Sequence, residues 1–218
     1  MIKKLRIYCL VIVLITIGLA VYGKIKVTNY DFEDYIANTR YDTTQNANEM
    51  LDYAPYLKKI INDDKINDYT DLLDHTKYCL DVKVEKSKFS GEGIINYCVV
   101  ERVIKGEKIE IGDKIGIYDL VFLLARSGTV YGEGARPLKT GEKYRVFIDN
   151  AINPLIDGAY LFSSFKYGSF RLNPGTGAKL EQNTDEKEIT LKDAMEFDCI
   201  TRDGDMKIYN DIYNEINN

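Results

Sequence analysis

The spacing of apolar positions along the chain divides it into segments of different character. Residues 7–22 (IYCLVIVLITIGLAVY) carry no charge and follow the basic flank MIKKLR. As a helix this run reaches roughly 24 Å at ~1.5 Å per residue. A bilayer core is about 30 Å thick, and flanking Lys and Arg side chains can snorkel across the shortfall. The pattern predicts an N-terminal transmembrane signal-anchor over residues 1–23. Lys3, Lys4 and Arg6 set that end in the cytoplasm and the rest of the chain outside. A cleaved signal peptide is the rival reading, with Val21 and Gly23 as its small-residue pair. Both readings export residues 24–218. Cys9 lies too early in the run to be a lipidation site.

Residues 24–54 are polar, acidic and rich in Asn and Thr, which predicts a stalk with one short helix. Pro55 can open a helix. PYLKKIIND then sets Leu57, Ile60 and Ile61 on one face, and NDYTDLLDH offers Leu72 and Leu73 as a buried pair. From Tyr78 the period becomes two. In YCLDVKVEK, Leu80, Val82 and Val84 alternate with Asp81, Lys83 and Glu85, the signature of a half-buried strand. KSKFSGEG reads as a loose loop, and GIINYCVVERVIKG as its partner strand. Gly112-Asp113 and Thr140-Gly141 supply later turns. Between them, VFLLARSGTVYGEGARP reads as a strand end and a long loop. In KYRVFID, Tyr144, Val146 and Ile148 alternate with Arg145, Phe147 and Asp149. AYLFSSF and GSFRLN read as a final hairpin. In the tail, Thr190 and Asp193 form a capping-box pattern, and Ile208, Ile212 and Ile216 mark one face of a terminal helix.

This pattern predicts a mainly β domain with flanking helices (α+β): a small five- to six-stranded OB-like antiparallel barrel rather than a sandwich. The predicted organisation is an anchor over 1–23, a stalk over 24–54, a helix and barrel over 55–172, and a linker with a C-terminal helical region over 173–218.

Composition narrows the function classes. The hydrophobic fraction of 45% suffices for a packed core, and aromatics are supplied by 17 Tyr and 8 Phe with no Trp. The formal charge of −5 is the wrong sign for a nucleic-acid partner. Cys79, Cys98 and Cys199 are an odd number without a CxxC pair, so a zinc site or a disulfide-dense scaffold is not expected. Cys79 and Cys98 would face each other if the hairpin were centred near residues 88–89. A bridge between them and two separate thiols are both open readings in an oxidising compartment.

Other chemistry is sparse. His75 is the single histidine, placed where a helix meets a strand, and reads as a cap or surface residue rather than a catalytic base. Asn173–Lys179 (NPGTGAK) lacks phosphate-loop spacing, with Leu180 where a hydroxyl would stand. The acidic run Asn62–Asp68 fits no EF-hand register and reads as a solvated helix end. Asp203-Gly204-Asp205 reads as a turn before the last helix. No cofactor or metal is expected.

The strand sequences YCVVERVIKGEKIEIGDKIGIY, PLKTGEKYRVFID and YLFSSFKYGSFRLN carry a resemblance. They resemble small anchored, mostly uncharacterised exported proteins of Gram-positive bacteria. More distantly, over residues 70–172, the chain is similar to netrin-like and metalloproteinase-inhibitor OB domains. The resemblance implies a barrel fold. Protease inhibition does not carry over, because inhibitor domains of that kind chelate the protease metal through an N-terminal Cys that this chain lacks. The expected function is a membrane-tethered extracytoplasmic module that binds a protein or cell-envelope partner without catalysis. The alternatives are an envelope hydrolase using Asp119, Glu133 and Glu142, and a structural spacer.

Overall fold

The computed structural model describes residues 32–42, 60–61, 63–90, 93–119, 122–124, 129–131, 136–151, 158–172, 180–181, 189–201 and 203–217. Residues 1–31 lie outside this set, and with them the expected anchor. Among the described residues no helix is long and apolar enough to cross a membrane. The chain divides into two compact units, 1–35 and 36–218. Of the first, residues 32–35 are described, at the start of helix α1 (Phe32–Asn38).

Among the described residues of the second unit, strand is the commonest regular structure. Strand β1 (Arg40–Asp42) precedes a 3-10 turn (Asp63–Lys65) and helix α2 (Tyr69–Asp74). Two long strands follow, β2 (Tyr78–Ser90) and β3 (Gly93–Lys105), then β4 (Lys114–Tyr118), β5 (Phe122–Leu124) and β6 (Thr129–Tyr131). After β7 (Lys143–Asn150) come β8 (Ala159–Phe162) and β9 (Ser169–Arg171). The C-terminal part holds β10 (Leu180–Glu181), β11 (Ile189–Thr190), α3 (Leu191–Glu196), β12 (Ile200–Thr201) and α4 (Asp203–Asn217).

Strands β2, β3, β4, β8 and β7 hydrogen-bond in that order, and β7 pairs back onto β2 to close a five-stranded barrel. Every barrel pairing is antiparallel except β4 with β8. Closure removes exposed edges. The register of β2 on β3 shifts at Cys79/Leu80, Asp81/Val82 and Val84/Lys86. Such irregularities bend and twist a strand, which a long hairpin needs in order to curl into a small barrel. The interior is filled by Leu80, Val82, Val84, Val100, Ile117, Tyr144, Val146 and Ile148.

The expectation of half-buried strands holds for the inner face and fails for part of the outer one. Phe147 and Cys79 point away from the barrel interior, yet both are fully buried. They join Phe170, Leu72, Tyr209 and Ile212 in a second core, where α2 and α4 cover the barrel wall. Phe147 meets Tyr69 and Phe170 edge-on, and Phe170 stacks on Tyr209. On α4 the buried stripe runs Met206, Tyr209, Ile212 and Ile216. Ile208, expected on the same face as Ile212 and Ile216, sits at its margin. Asp203 opens this helix rather than forming a turn ahead of it. The expected capping box is present, with Thr190 and Asp193 each bonding the other's backbone N–H.

Three further expectations change. The β2–β3 hairpin is centred on residues 91–92, not 88–89, because Lys86–Ser90 continues the ladder to the pair Ser90↔Gly93. Ser87 and Asn96 face each other in that stretch, and the Ser87 hydroxyl donates to Asn96 Oδ1 at 2.6 Å. Cys79 therefore lies opposite Lys105, and Cys98 opposite Val84. The five-residue offset along β2 is ~16 Å, against the ~7 Å beyond which a disulfide cannot form. Both are buried free thiols, as is Cys199.

The expected β8–β9 hairpin is not formed either. Both strands run antiparallel to β7, on successive stretches of it. Between them the chain loops out over Ser163–Gly168. Phe147 holds both ends of this loop: its C=O accepts from Ser163 N–H at 3.0 Å and its N–H donates to Gly168 O at 2.9 Å. Finally, the segment expected to be a stalk with one short helix contains such a helix, α1, and in addition the strand β1. β1 enters a four-stranded sheet of order β11-β1-β6-β5, and β5 with β6 forms a hairpin within the expected long loop.

Candidate functional site

The loop Ser163–Gly168 is built around a carboxylate about a hundred residues earlier in the chain. Asp63 accepts from the Ser164 hydroxyl and from Phe165 N–H at 3.1 Å, while Tyr167 N–H donates to Ser164 Oγ at 2.7 Å. One half-buried side chain thus satisfies donors that a loop leaving its ladder would otherwise strand. Burial pushes the Asp63 carboxyl up to about 6, against the pull of Ser164, Lys166 and the loop amides. The run expected to be a solvated helix end is, at this residue, a structural clamp. Lys166 pairs with Asp205 of α4 at 2.7 Å, so the loop is held from two sides.

Ser164, Phe165, Lys166, Gly168 and Ser169 form one wall of a cleft, and Asp119, Arg136, Asp198 and Cys199 contribute the other. The cleft encloses about 310 Å³, much of it open to solvent, and its sheltered interior has room for about one water molecule.

Asp119 ends β4, where its N–H donates to Ile94 O. Its side chain is 6% exposed. Oδ2 accepts from Asn96 Nδ2 at 2.7 Å, completing a buried chain Ser87–Asn96–Asp119 across three strands. Oδ1 has no hydrogen-bond partner among the described residues. Burial pushes this carboxyl up to about 7, opposed by the Asn96 bond, the Leu138 amide and the charge of Arg136. Arg136 is 4% exposed and gives Nε and Nη2 to the Asp198 carbonyl at 3.0 and 2.5 Å. Its Nη1 has no partner among the described residues. Tyr209 of α4 donates to the same carbonyl at 2.8 Å. Arg136 and Arg171 both lie over the Tyr144 ring, at 5.6 and 5.8 Å from its centroid. Arg171 also donates to Met195 O at 2.9 Å, with its Nε 3.4 Å from Asp198 Oδ1.

Of the three acids expected to serve a hydrolase, Asp119 lines this cleft. Glu133 lies outside the described residues. Glu142 sits at the entry to β7, where its carbonyl accepts from Val84 N–H. Glu142 is not among the residues that line the Asp119 cleft. The second carboxylate near Asp119 is Asp198, which the sequence did not single out, because FDCITR has no motif and its burial depends on α3 and α4 docking. His75 caps α2, with Nδ1 2.8 Å from Asp71 O, and takes no part. Asn173–Lys179 lies outside the described residues. Among the described residues no group of three or more His, Cys, Asp or Glu side chains could hold a metal.

Asp81 and Arg145 form the other buried charged pair. They face each other across β2 and β7 in a two-point contact at 2.7 and 3.0 Å, each side chain 10% exposed. The pair lies under α2, where Tyr69 hydrogen-bonds Arg145, and it is structural. The chain matches no protein-family model, no curated protein and no solved structure.

Proposed function

We propose that the chain is a membrane-tethered extracytoplasmic binding module built on an OB-type barrel. It recognises a protein or cell-envelope partner and does no chemistry on it. The uncharged run at residues 7–22 behind a basic flank supports the tether and its orientation. The strand order, with its single parallel pairing between β4 and β8, supports the OB-type assignment. One observation carries the non-catalytic reading above the others. Asp63 is engaged with the loop and Asp81 with Arg145, and the cleft beside Asp119 shelters about one water. So small a sheltered space beside the carboxylates favours binding over chemistry.

One observation favours the hydrolase alternative: two buried carboxylates, Asp119 and Asp198, line the same cleft, and Asp119 is held near neutrality as a general acid would be. The two readings separate in one experiment. Intact cells bearing the full chain are treated with an external protease, and the solubilised chain is incubated with purified envelope material. Digestion of residues 24–218 from outside, retention on the envelope and no released fragments support the binding module. Protection from the protease removes the extracytoplasmic assignment, and release of soluble saccharide removes the non-catalytic one.

A further inference from the structure

On the outer face of the barrel, where β7, β2, β3 and β4 run side by side, the charge runs against that of the chain. Lys83 of β2 stands beside Lys143 of β7 on one side and Val99 of β3 on the other, and Val99 stands beside Lys114 of β4. Val82, Val84, Tyr144 and Ile115 occupy the alternate positions and are buried, which turns the lysines of this row outward. Further along β2, Lys86 lies opposite Tyr97 and Lys88 opposite Ile95. Both lysines sit over the Tyr97 ring, at 5.1 and 5.8 Å from its centroid. Five lysines thus share one face, about 15 Å across the strands and about 16 Å along them.

Two acids reach these lysines. Glu85 pairs with Lys114 at 3.1 Å, and Glu101 with Lys143 at 2.7 Å. Asp113, next to Lys114, turns its carboxylate onto the Glu110 amide instead. Lys83, Lys86 and Lys88 are exposed and have no carboxylate partner among the described residues. The face therefore carries a surplus of three positive charges in a chain of formal charge −5. Lysines on an open strand edge guard against aggregation. That explains Lys86 and Lys88, which lie past the end of the β2–β7 pairing at Lys83. It does not explain Lys83, which has a strand on each side, or Lys143 and Lys114 on strands away from that edge. Like charges directly opposite each other weaken a ladder, so the fold gains nothing from setting Lys83 against Lys143.

We propose that this face binds a flexible, phosphate-bearing polymer, which under the exported reading belongs to the cell envelope. The sign of the surplus selects an anionic partner. All five groups are lysines, point charges that meet phosphate oxygens from any direction without the fixed fork by which arginine selects one geometry. The shape of the face selects a chain over a flat surface. The lysines span β7 to β4 around a closed barrel, so their side chains diverge. A bilayer touches only the crest of such a surface, whereas a flexible chain follows its curve. Tyr97 is taken up by Lys86 and Lys88, which sets their two cations side by side and leaves no open ring there for a nucleic-acid base to stack on.

This inference rests on the binding-module reading and names the chemistry of its partner. The test uses the full chain in a zwitterionic detergent and end-labelled inorganic polyphosphate, followed by fluorescence anisotropy at several salt concentrations. The expected result is saturable binding whose log affinity falls with log salt at a slope of about −2 or steeper, each unpaired lysine contributing ~0.7 through counterion release. Lys86→Gln with Lys88→Gln should make that slope shallower by about 1–2. Lys192→Gln with Lys207→Gln removes the same charge from exposed positions on α3 and α4 and should leave the slope within about 0.5 of wild type. Absence of saturable binding would overturn the proposal, and so would equal losses in the two double variants, which would reduce the effect to net charge. Tighter binding of poly-glutamate or of oligo-dT at matched charge would assign the face to an acidic polypeptide or a nucleic acid and overturn it too. Displacement of polyphosphate by an equal amount of phosphate presented as phosphatidylglycerol in the detergent would assign the face to lipid, with the same consequence. Retention on envelope material undiminished in Lys86→Gln with Lys88→Gln removes this face and leaves the binding module standing. Polyphosphate binding without envelope retention keeps the face and removes the envelope as its partner's source.

Discussion

Asp119 makes the stability of this chain depend on pH in the direction opposite to ordinary acid denaturation. Its carboxyl titrates near 3.8 when freely solvated and at about 7 in the fold. The folded chain therefore holds a proton that the unfolded chain releases. Where the unfolded state binds fewer protons, stability falls as pH rises. The penalty is absent below the unfolded value, accumulates between the two, and is complete above about 7. At ~1.36 kcal/mol per unit the interval from about pH 4.5 to 7.5 corresponds to about 3 kcal/mol. Asp119→Asn carries no ionisable group and can still accept from Asn96. Urea unfolding of wild type and Asp119→Asn at several pH values in that interval gives the comparison. The variant should gain about 3 kcal/mol relative to wild type on going from the acid end to the neutral end. Asp63, raised to about 6 for the same reason, adds a second loss of the same sign to both proteins and cancels in the difference. A difference constant to within about 0.5 kcal/mol across the range would refute the assignment of a buried carboxyl to this position.

Other outcomes follow from the packing. Arg145→Ala leaves the Asp81 carboxylate buried without its two-point partner and should cost about 3 kcal/mol, whereas Asp81→Leu with Arg145→Met should cost about 1 kcal/mol or less; a double-mutant cycle in urea reads the coupling, and additivity would contradict the geometry. Gly168→Ala drives a methyl into the Ser164 carbonyl and Phe162 and should lower the melting temperature by several degrees, about 2 kcal/mol; calorimetry checks it. Ile212→Ala opens a cavity under α4 at a cost of about 2–5 kcal/mol, seen as a reduced urea midpoint. Cys79, Cys98 and Cys199 should resist a thiol reagent in the native state and all react in denaturant. Burial pushes Cys79 and Cys98 up to about 12, and a thiol rather than a thiolate is unreactive.

What the sequence made legible is what local rules govern. The alternation in β2 and β7, the Thr190–Asp193 box, the turns at Gly112 and Gly141 and the cap at His75 each depend on neighbours within a few residues. The barrel class followed from the number and spacing of such strands. The errors share a physical origin. KSKFS reads as a loop by composition, but Ser87 finds Asn96 across the ladder and the strand continues. AYLFSSF and GSFRLN read as partners because they are adjacent, while β7 offers both of them an edge. Arg145 and Phe147 read as solvent-facing because period two assigns them outward, and only the docking of α2 and α4 buries them. The cleft was invisible for the same reason. Asp63, Asp119, Arg136 and Asp198 carry no common motif and come together only when the chain has closed.

The loop Ser163–Gly168 sets an order of events during synthesis. It is gripped by Asp63 and by Asp205, one made well before the barrel and the other among the last residues of the chain. A chain emerging from its N-terminus can close the β2–β7 seam early. Until α4 appears it carries an apolar wall at Phe147, Phe170 and Cys79 that α2 covers only in part. In the exported reading, the translocated chain passes through a half-finished state whose apolar face, partly shielded by α2, is closed over only when α4 docks. Truncation within α4 would therefore prolong the stage at which the chain is most exposed to aggregation or proteolysis, in addition to lowering its stability.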